Sequence, residues 1–204
     1  TILAVIFFGI VTFAFADYPT LTACNHPPAM EGFDSNNFME GTWYVTNAKH
    51  GSNSTVCREY KSKTNKNKKQ VLVGDGYYTF SGQAIYFTVR CKKQANQDEK
   101  LSTFDCTQKM PGNNKVRNKF QLEVTILSTD YDKYAIMYRC VKFPPELGSL
   151  IEDNLLVLHR DATKTKDGDT TIRNILKSQG LKLKELKSRK CVKCPSPPPK
   201  KTKT

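Results

Sequence analysis

The run Phe120-Gln121-Leu122-Glu123-Val124-Thr125-Ile126 places an apolar side chain at every second position and a polar one between. A period of two belongs to an extended strand with one face on a core and the other on water. Ile85, Phe87 and Val89 repeat the pattern against Thr88 and Arg90. Stretches rich in β-branched and aromatic residues recur between Gly41 and Arg160, separated by polar or glycine-containing turns. Eight strands are predicted, over 42–48, 55–62, 70–80, 83–92, 101–109, 119–127, 133–141 and 154–160. The fold class is all-β and antiparallel. Periodicity alone allows a two-sheet sandwich or an up-and-down barrel, whose closure removes unpaired edges and encloses room for one small ligand.

The flanks differ in character. Residues 1–16 carry no charge and end in Ala14-Phe15-Ala16, a small-x-small cleavage pattern, so they read as a signal peptide with Asp17 as the mature start. After the strands, Asp167-Gly168-Asp169-Thr170 offers helix-capping groups, Ile172, Ile175 and Leu176 recur at helical spacing, and Gly180 can end the helix. Residues 195–204, rich in proline and lysine, have no apolar side chain to bury and are expected to be disordered. The main domain is therefore 17–194. Seven cysteines suit an oxidising compartment, with three bridges and one thiol over. Asn53-Ser54-Thr55 is a glycosylation sequon in what reads as a polar loop.

The net charge of +13 is uneven. Residues 181–204 hold nine Lys/Arg against one Glu, and 61–69 form a second basic run. Such runs are solvated surface by default, and the lysines from Lys182 to Lys203 add the reading of a polyanion contact. No segment after the leader is apolar enough to span a bilayer, and no specific nucleic-acid motif is present.

Catalytic patterns fall short. His159-Arg160-Asp161 spells a kinase catalytic-loop motif without its companions, and Gly74-Asp75-Gly76 is a turn rather than a phosphate cradle. His26 and His50 fall in predicted loops, so a nucleophile–base pair cannot be assembled. Cys191-Val192-Lys193-Cys194 lacks both a redox context and a second pair of zinc ligands. A binding protein, not an enzyme, is expected.

Gly41-Thr42-Trp43-Tyr44 opens the first strand, Thr129-Asp130-Tyr131 precedes the seventh and Arg160 closes the eighth. Together these resemble the lipocalin signature. The resemblance implies an eight-stranded antiparallel up-and-down barrel, with the indole of Trp43 across its closed end under the Arg160 guanidinium, in a structural role. Thr55-Val56-Cys57-Arg58-Glu59-Tyr60, Thr129-Asp130-Tyr131-Asp132-Lys133-Tyr134-Ala135 and the cysteine layout are similar to the triabin and pallidipin group, salivary lipocalins of blood-feeding triatomine bugs. That resemblance, over 17–194, implies secretion in saliva and interference with host haemostasis. It also implies bridges Cys24–Cys140 and Cys57 with Cys191 or Cys194. Cys91–Cys106 follows from their neighbouring strand ends.

Some such lipocalins carry haem on a calyx histidine. Strands 70–127 contain none, so no cofactor and no metal are expected. Amine capture would need interior carboxylates, for which the middle strands offer Asp75, Asp105 and Glu123, the last on the polar phase. Alternation predicts a calyx lined by Tyr78, Phe80, Phe87, Val89 and Phe104. From the later strands it adds Leu122, Val124, Ile136 and Tyr138. That lining suits a small hydrophobic host mediator, eicosanoid-like, whose capture inhibits platelet aggregation. The alternative is an inhibitor of coagulation or contact activation that binds a host haemostatic protein or an anionic surface.

Overall fold

A computed structural model describes residues 19, 21–64, 70–80, 83–95, 100–110, 113–165 and 169–199, without the side chains of 63, 64, 79, 80 and 113–116. The predicted leader and the end of the proline-lysine tail lie outside these residues, as does most of the basic run 61–69.

The strands are β1 (Thr42–Ala48), β2 (Glu59–Thr64), β3 (Gln70–Val73), β4 (Gly76–Phe80), β5 (Gln83–Lys93), β6 (Ser102–Met110), β7 (Asn113–Thr129), β8 (Tyr134–Lys142), β9 (Ile151–His159) and the short β10 (Lys187–Ser188). Eight of them, β1-β2-β3-β5-β6-β7-β8-β9, pair antiparallel in that order, and β1 also pairs β9. The sheet closes on itself, so the alternative of an open sandwich is excluded.

Two strand predictions change in kind, and β7 and β9 begin at Asn113 and Ile151, ahead of the predicted 119 and 154. The segment 70–80 is two strands, because Gly74 and Asp75 interrupt it: Gly74 N–H still bonds Val89 O at 3.2 Å, whereas the Asp75 carboxylate accepts Val89 N–H at 2.8 Å. The chain then leaves the barrel as β4, which pairs only with the first half of β5. The start of 55–62 is a helical turn, α2 (Asn53–Val56), which packs against β1 and β4. The hairpin β4–β5 and α2 thus sit together at one end of the barrel.

The other end is closed by turn chemistry. Asp130 Oδ1 accepts the N–H groups of Lys133 and Tyr134 at 2.8 and 3.0 Å, and Thr129 Oγ1 donates to Tyr134 O at 2.7 Å. These bonds bend β7 into β8 and set Tyr131 in the left-handed region at φ 66°. Below them, α1 (Ser35–Phe38) is capped by the Asp34 carboxylate and brings Phe38 under Trp43, ring centroids 5.2 Å apart.

Buried residues form two clusters. One fills the barrel with Trp43, Val45, Val89, Phe104, Leu122, Val124, Ala135, Met137 and Leu158 among others. The second lies outside β8 and β9, where Ile136, Tyr138, Leu155 and Val157 meet Ile172 and Leu176. The last two belong to α3 (Thr170–Ser178), whose N-cap Asp169 accepts Thr171 N–H at 2.7 Å and which Gly180 ends at φ +69°. Among the described residues no helix is long and apolar enough to cross a membrane.

Three disulfides staple this frame: Cys24–Cys140, Cys57–Cys194 and Cys91–Cys106. Cys91 and Cys106 are directly opposed in mid-ladder rather than at strand ends, and both face the interior. Cys191 is the exposed free thiol. The chain before Cys194 is more ordered than its charge implies. Leu186 is buried, Lys187–Ser188 pairs β1, and Arg189 donates from its backbone to Thr46 O and from its guanidinium to Val56 O. The described residues 195–199 are exposed and without regular structure, and Tyr77 Oη donates to Ser196 O.

Candidate ligand-binding site

The closed end is a built plug. The guanidinium carbon of Arg160 stands 3.6 Å from the Trp43 ring centroid. The same side chain donates to the carbonyls of Tyr131 (3.0 Å), Thr42 (3.3 Å) and Glu40. Trp43 is 3% exposed and its indole N–H donates to Phe38 O at 2.8 Å. Gly41 is required here, because it lies at φ +70° and a Cβ would stand 3.2 Å from an Arg160 nitrogen. Only a space of about 20 Å³ remains beside Trp43, among Tyr60, Leu72, Phe104 and Met137. That volume holds about one water, so this end is packed rather than hollow.

Toward the other end the interior turns polar. Arg58, Tyr78, Arg139 and Glu152 converge there. The Arg58 guanidinium lies 4.2 Å from the Tyr78 ring centroid, and Arg139 Nη1 meets Glu152 Oε1 at 3.0 Å. Arg58 is 8% and Arg139 4% exposed. The charges of Arg58, Arg139 and Glu152 all reach the Tyr78 hydroxyl, whose burial pushes its pKa up. Asn154, fully buried, exchanges two bonds with the backbone of His50 at 2.9 and 3.0 Å and so fixes the chain between β1 and α2. Tyr78 is carried on the β4–β5 hairpin and meets Phe87 edge to face at 5.7 Å. The hairpin therefore covers this polar end.

Of the predicted lining, Tyr78, Val89, Phe104, Leu122 and Val124 belong to or pack on the interior cluster, and Phe87 shares the phase of Val89. The side chain of Phe80 lies outside the described residues. Ile136 and Tyr138 do not line the barrel. They face α3 and the N-terminal segment, and Ala135, Met137 and Arg139 take the inner phase of β8 instead. Alternation fails in β8 because eight of its nine residues are buried, its outer face being covered as well as its inner one. A signal was nonetheless present. Once Cys140 bonds the outlying Cys24, Arg139 and Val141 must point the opposite way.

None of the carboxylates considered for amine capture faces inward. Asp75 pairs with Arg90, Asp105 is exposed beside Gln94, and Glu123 sits on the outer wall between Lys142 and His26, with His26 Nε2 at 2.7 Å. Cys24 joins that group, but its sulfur is in a disulfide and the cluster reads as a clasp for the N-terminal segment. Asn53 of the sequon is exposed and opens α2 rather than lying in a loop.

Two of these groups set an acid response. Burial first, then Lys49, lowers the pKa of His50 below its ordinary 6.5. Burial opposes ionisation of Glu123, but hydrogen bonds from Lys142 and His26 outweigh it and hold the carboxyl below 4.5. Both folded pKa values are depressed, so both contributions are complete above the unfolded values and fade as pH falls through the folded ones. Melting temperatures should fall below pH 6.5 and again below 4.5. His50→Gln should flatten the first decline and Glu123→Gln the second; unchanged profiles in both variants would refute the assignment.

A closed eight-stranded antiparallel barrel, plugged by a tryptophan under an arginine and polar inside its other end, is a lipocalin. The family model described as Triabin matches residues 15–173, and the chain belongs to that family. It is 58% identical over 207 residues to Triafestin-1 of Triatoma infestans, a match covering 100% of this chain and 98% of that protein. Among solved structures it is similar to the amine-binding protein of Rhodnius prolixus in its tryptamine complex, with a TM-score of 0.61 and 20% identity over 82% of this chain and 86% of that one. It is also similar to a mutant of LTBP1 in complex with leukotriene C4, with a TM-score of 0.57 and 23% identity over 87% and 99%. At such identities the structural matches show the fold alone.

Proposed function

We propose that this is a secreted antihaemostatic lipocalin that holds a small acidic amphiphile, eicosanoid-like, in its barrel and thereby withholds a platelet agonist. The observation that carries this reading is the pairing of Arg58 and Arg139 with an apolar, aromatic wall. A fatty-acid-derived mediator has the matching parts, a carboxylate for the guanidiniums and a hydrocarbon body for Tyr78, Phe87, Val89 and Leu122. LTBP1, of the same fold, is a lipocalin-like barrel solved with leukotriene C4. Calorimetric titration with a stable thromboxane mimic should give saturable heat, and its alcohol analogue should bind more weakly. Arg58→Met should weaken the acid by roughly 10–100-fold, the worth of a charge-assisted hydrogen bond, and leave the alcohol nearly unaffected. No heat and no protection of platelets at saturating protein would reject the proposal.

A second reading, inhibition of coagulation or contact activation, is favoured by cations on the outer barrel face. It predicts longer contact-phase clotting times in plasma. A chain ending at Cys194 removes the tail's last lysines and spares the ordered Leu186, Arg189 and Cys194. Clotting times unaffected by the intact protein would remove this reading.

A further inference from the structure

The outer faces of β5, β6, β7 and β8 form a groove of about 970 Å³. Six of its lining residues are Arg90, Lys92, Lys109, Arg117, Lys119 and Lys142, of which Arg90 pairs with Asp75 and Lys142 with Glu123, and one is acidic, Asp105. The ladder registers show how they are laid out. Lys109 stands directly opposite Arg117, and Thr107 opposite Lys119 and Arg90. Like charges directly across a ladder repel, and an ordinary solvated sheet face intersperses both signs. Here the short side chains Thr88 and Thr107 share the face with the longer cations.

Successive outward residues on a strand lie about 7 Å apart and neighbouring strands about 4.8 Å, so the cations cover a field on the order of 14 Å each way. An extended chain with sulfate groups at short intervals fits such a field, with its sugar hydroxyls over the threonines and its sulfates beside the cations.

We infer that this face binds a sulfated polysaccharide, with Lys109, Arg117 and Lys119 as its central contacts. The three are exposed and lie on the wall opposite to the barrel interior, so the inference does not rest on small-ligand capture. It deepens the second reading, since sulfated chains are one anionic surface on which clotting factors assemble, but binding and clotting are measured apart.

The test uses the full mature chain and a fluorescently labelled heparin-derived oligosaccharide, followed by anisotropy over a salt series. The wild-type protein should bind, and log K should fall linearly with log salt. Lys109→Gln/Arg117→Gln/Lys119→Gln should lose on the order of tenfold to a hundredfold in affinity, with the salt slope reduced by about 3. Lys109→Arg/Arg117→Lys/Lys119→Arg keeps the charges and should bind like the wild type. Lys182→Gln/Lys184→Gln/Lys187→Gln, on the C-terminal segment, should change affinity little. The desulfated oligosaccharide should not bind. Loss of binding with the C-terminal variant and not the groove variant would overturn the inference. So would preference for phosphatidylserine vesicles over the sulfated chain, or failure of the wild type to bind it. Circular-dichroism melts of each variant separate lost contacts from lost folding.

Discussion

Replacing Trp43 with alanine should lower the unfolding free energy by about 4 kcal/mol, the scale for truncating a fully packed indole. Several interactions go at once: the stack on Phe38, the bond from the indole N–H to Phe38 O, and the surface on which the Arg160 guanidinium lies. Arg160 keeps its carbonyl partners at Tyr131, Thr42 and Glu40, so the end should loosen rather than come apart. Trp43 is the sole tryptophan, and the variant is best followed by circular dichroism in urea. A loss below about 1 kcal/mol, the level of an ordinary surface change, would mean that the plug closes the barrel without stabilising it.

Removing the Cys57–Cys194 bridge as Cys57→Ser/Cys194→Ser should cost about 4 kcal/mol and lower the melting temperature by on the order of 10 °C. The bridge joins residues 137 apart in sequence, and on the loop-entropy account a closed loop that long constrains the unfolded chain strongly. It also secures the segment that carries Leu186, β10 and Arg189 against β1. Non-reduced peptide mapping should show Cys57 joined to Cys194, with Cys191 alone open to alkylation. A Cys57–Cys191 peptide as the main species would contradict that pairing, and a melting temperature unchanged in the double variant would contradict the energetics.

The strands that border water on one side could be read directly. In β7 the alternation around Leu122 and Val124 survives because Gln121 and Glu123 face outward, and the cysteine pattern with Trp43 and Arg160 marked the closure. The choice between Cys191 and Cys194 could not be read, since only the path of Arg189 and Lys190 decides which sulfur reaches Cys57. The division of 70–80 was hidden for a related reason. Gly74-Asp75-Gly76 reads as a turn, but nothing in the sequence says that the chain after it leaves the barrel; the Asp75 carboxylate, by taking Val89 N–H, marks where β5 passes from β4 to β3. The polar interior is the part least legible in the sequence. Arg58 and Arg139 are charged residues at inward positions, and a reading that sends charge to the surface sends them there too. Glu152 and Asn154 come from a strand whose inward phase is legible only once β8 is placed beside it.

The wall of this barrel is clad on one half only. Over β8 and β9 the helix Thr170–Ser178 and the clasped N-terminal segment leave little of the outer surface in contact with water. Over β5, most of β6 and the first half of β7 the outward side chains Arg90, Lys92, Asp105, Lys109, Arg117 and Lys119 stand in solvent. A substitution on the clad half disturbs packing and is felt as lost stability, whereas one on the bare half alters charge and shape at almost no cost to folding. Descendants of this chain are thus free to try new partners along one flank while the other keeps the cup intact.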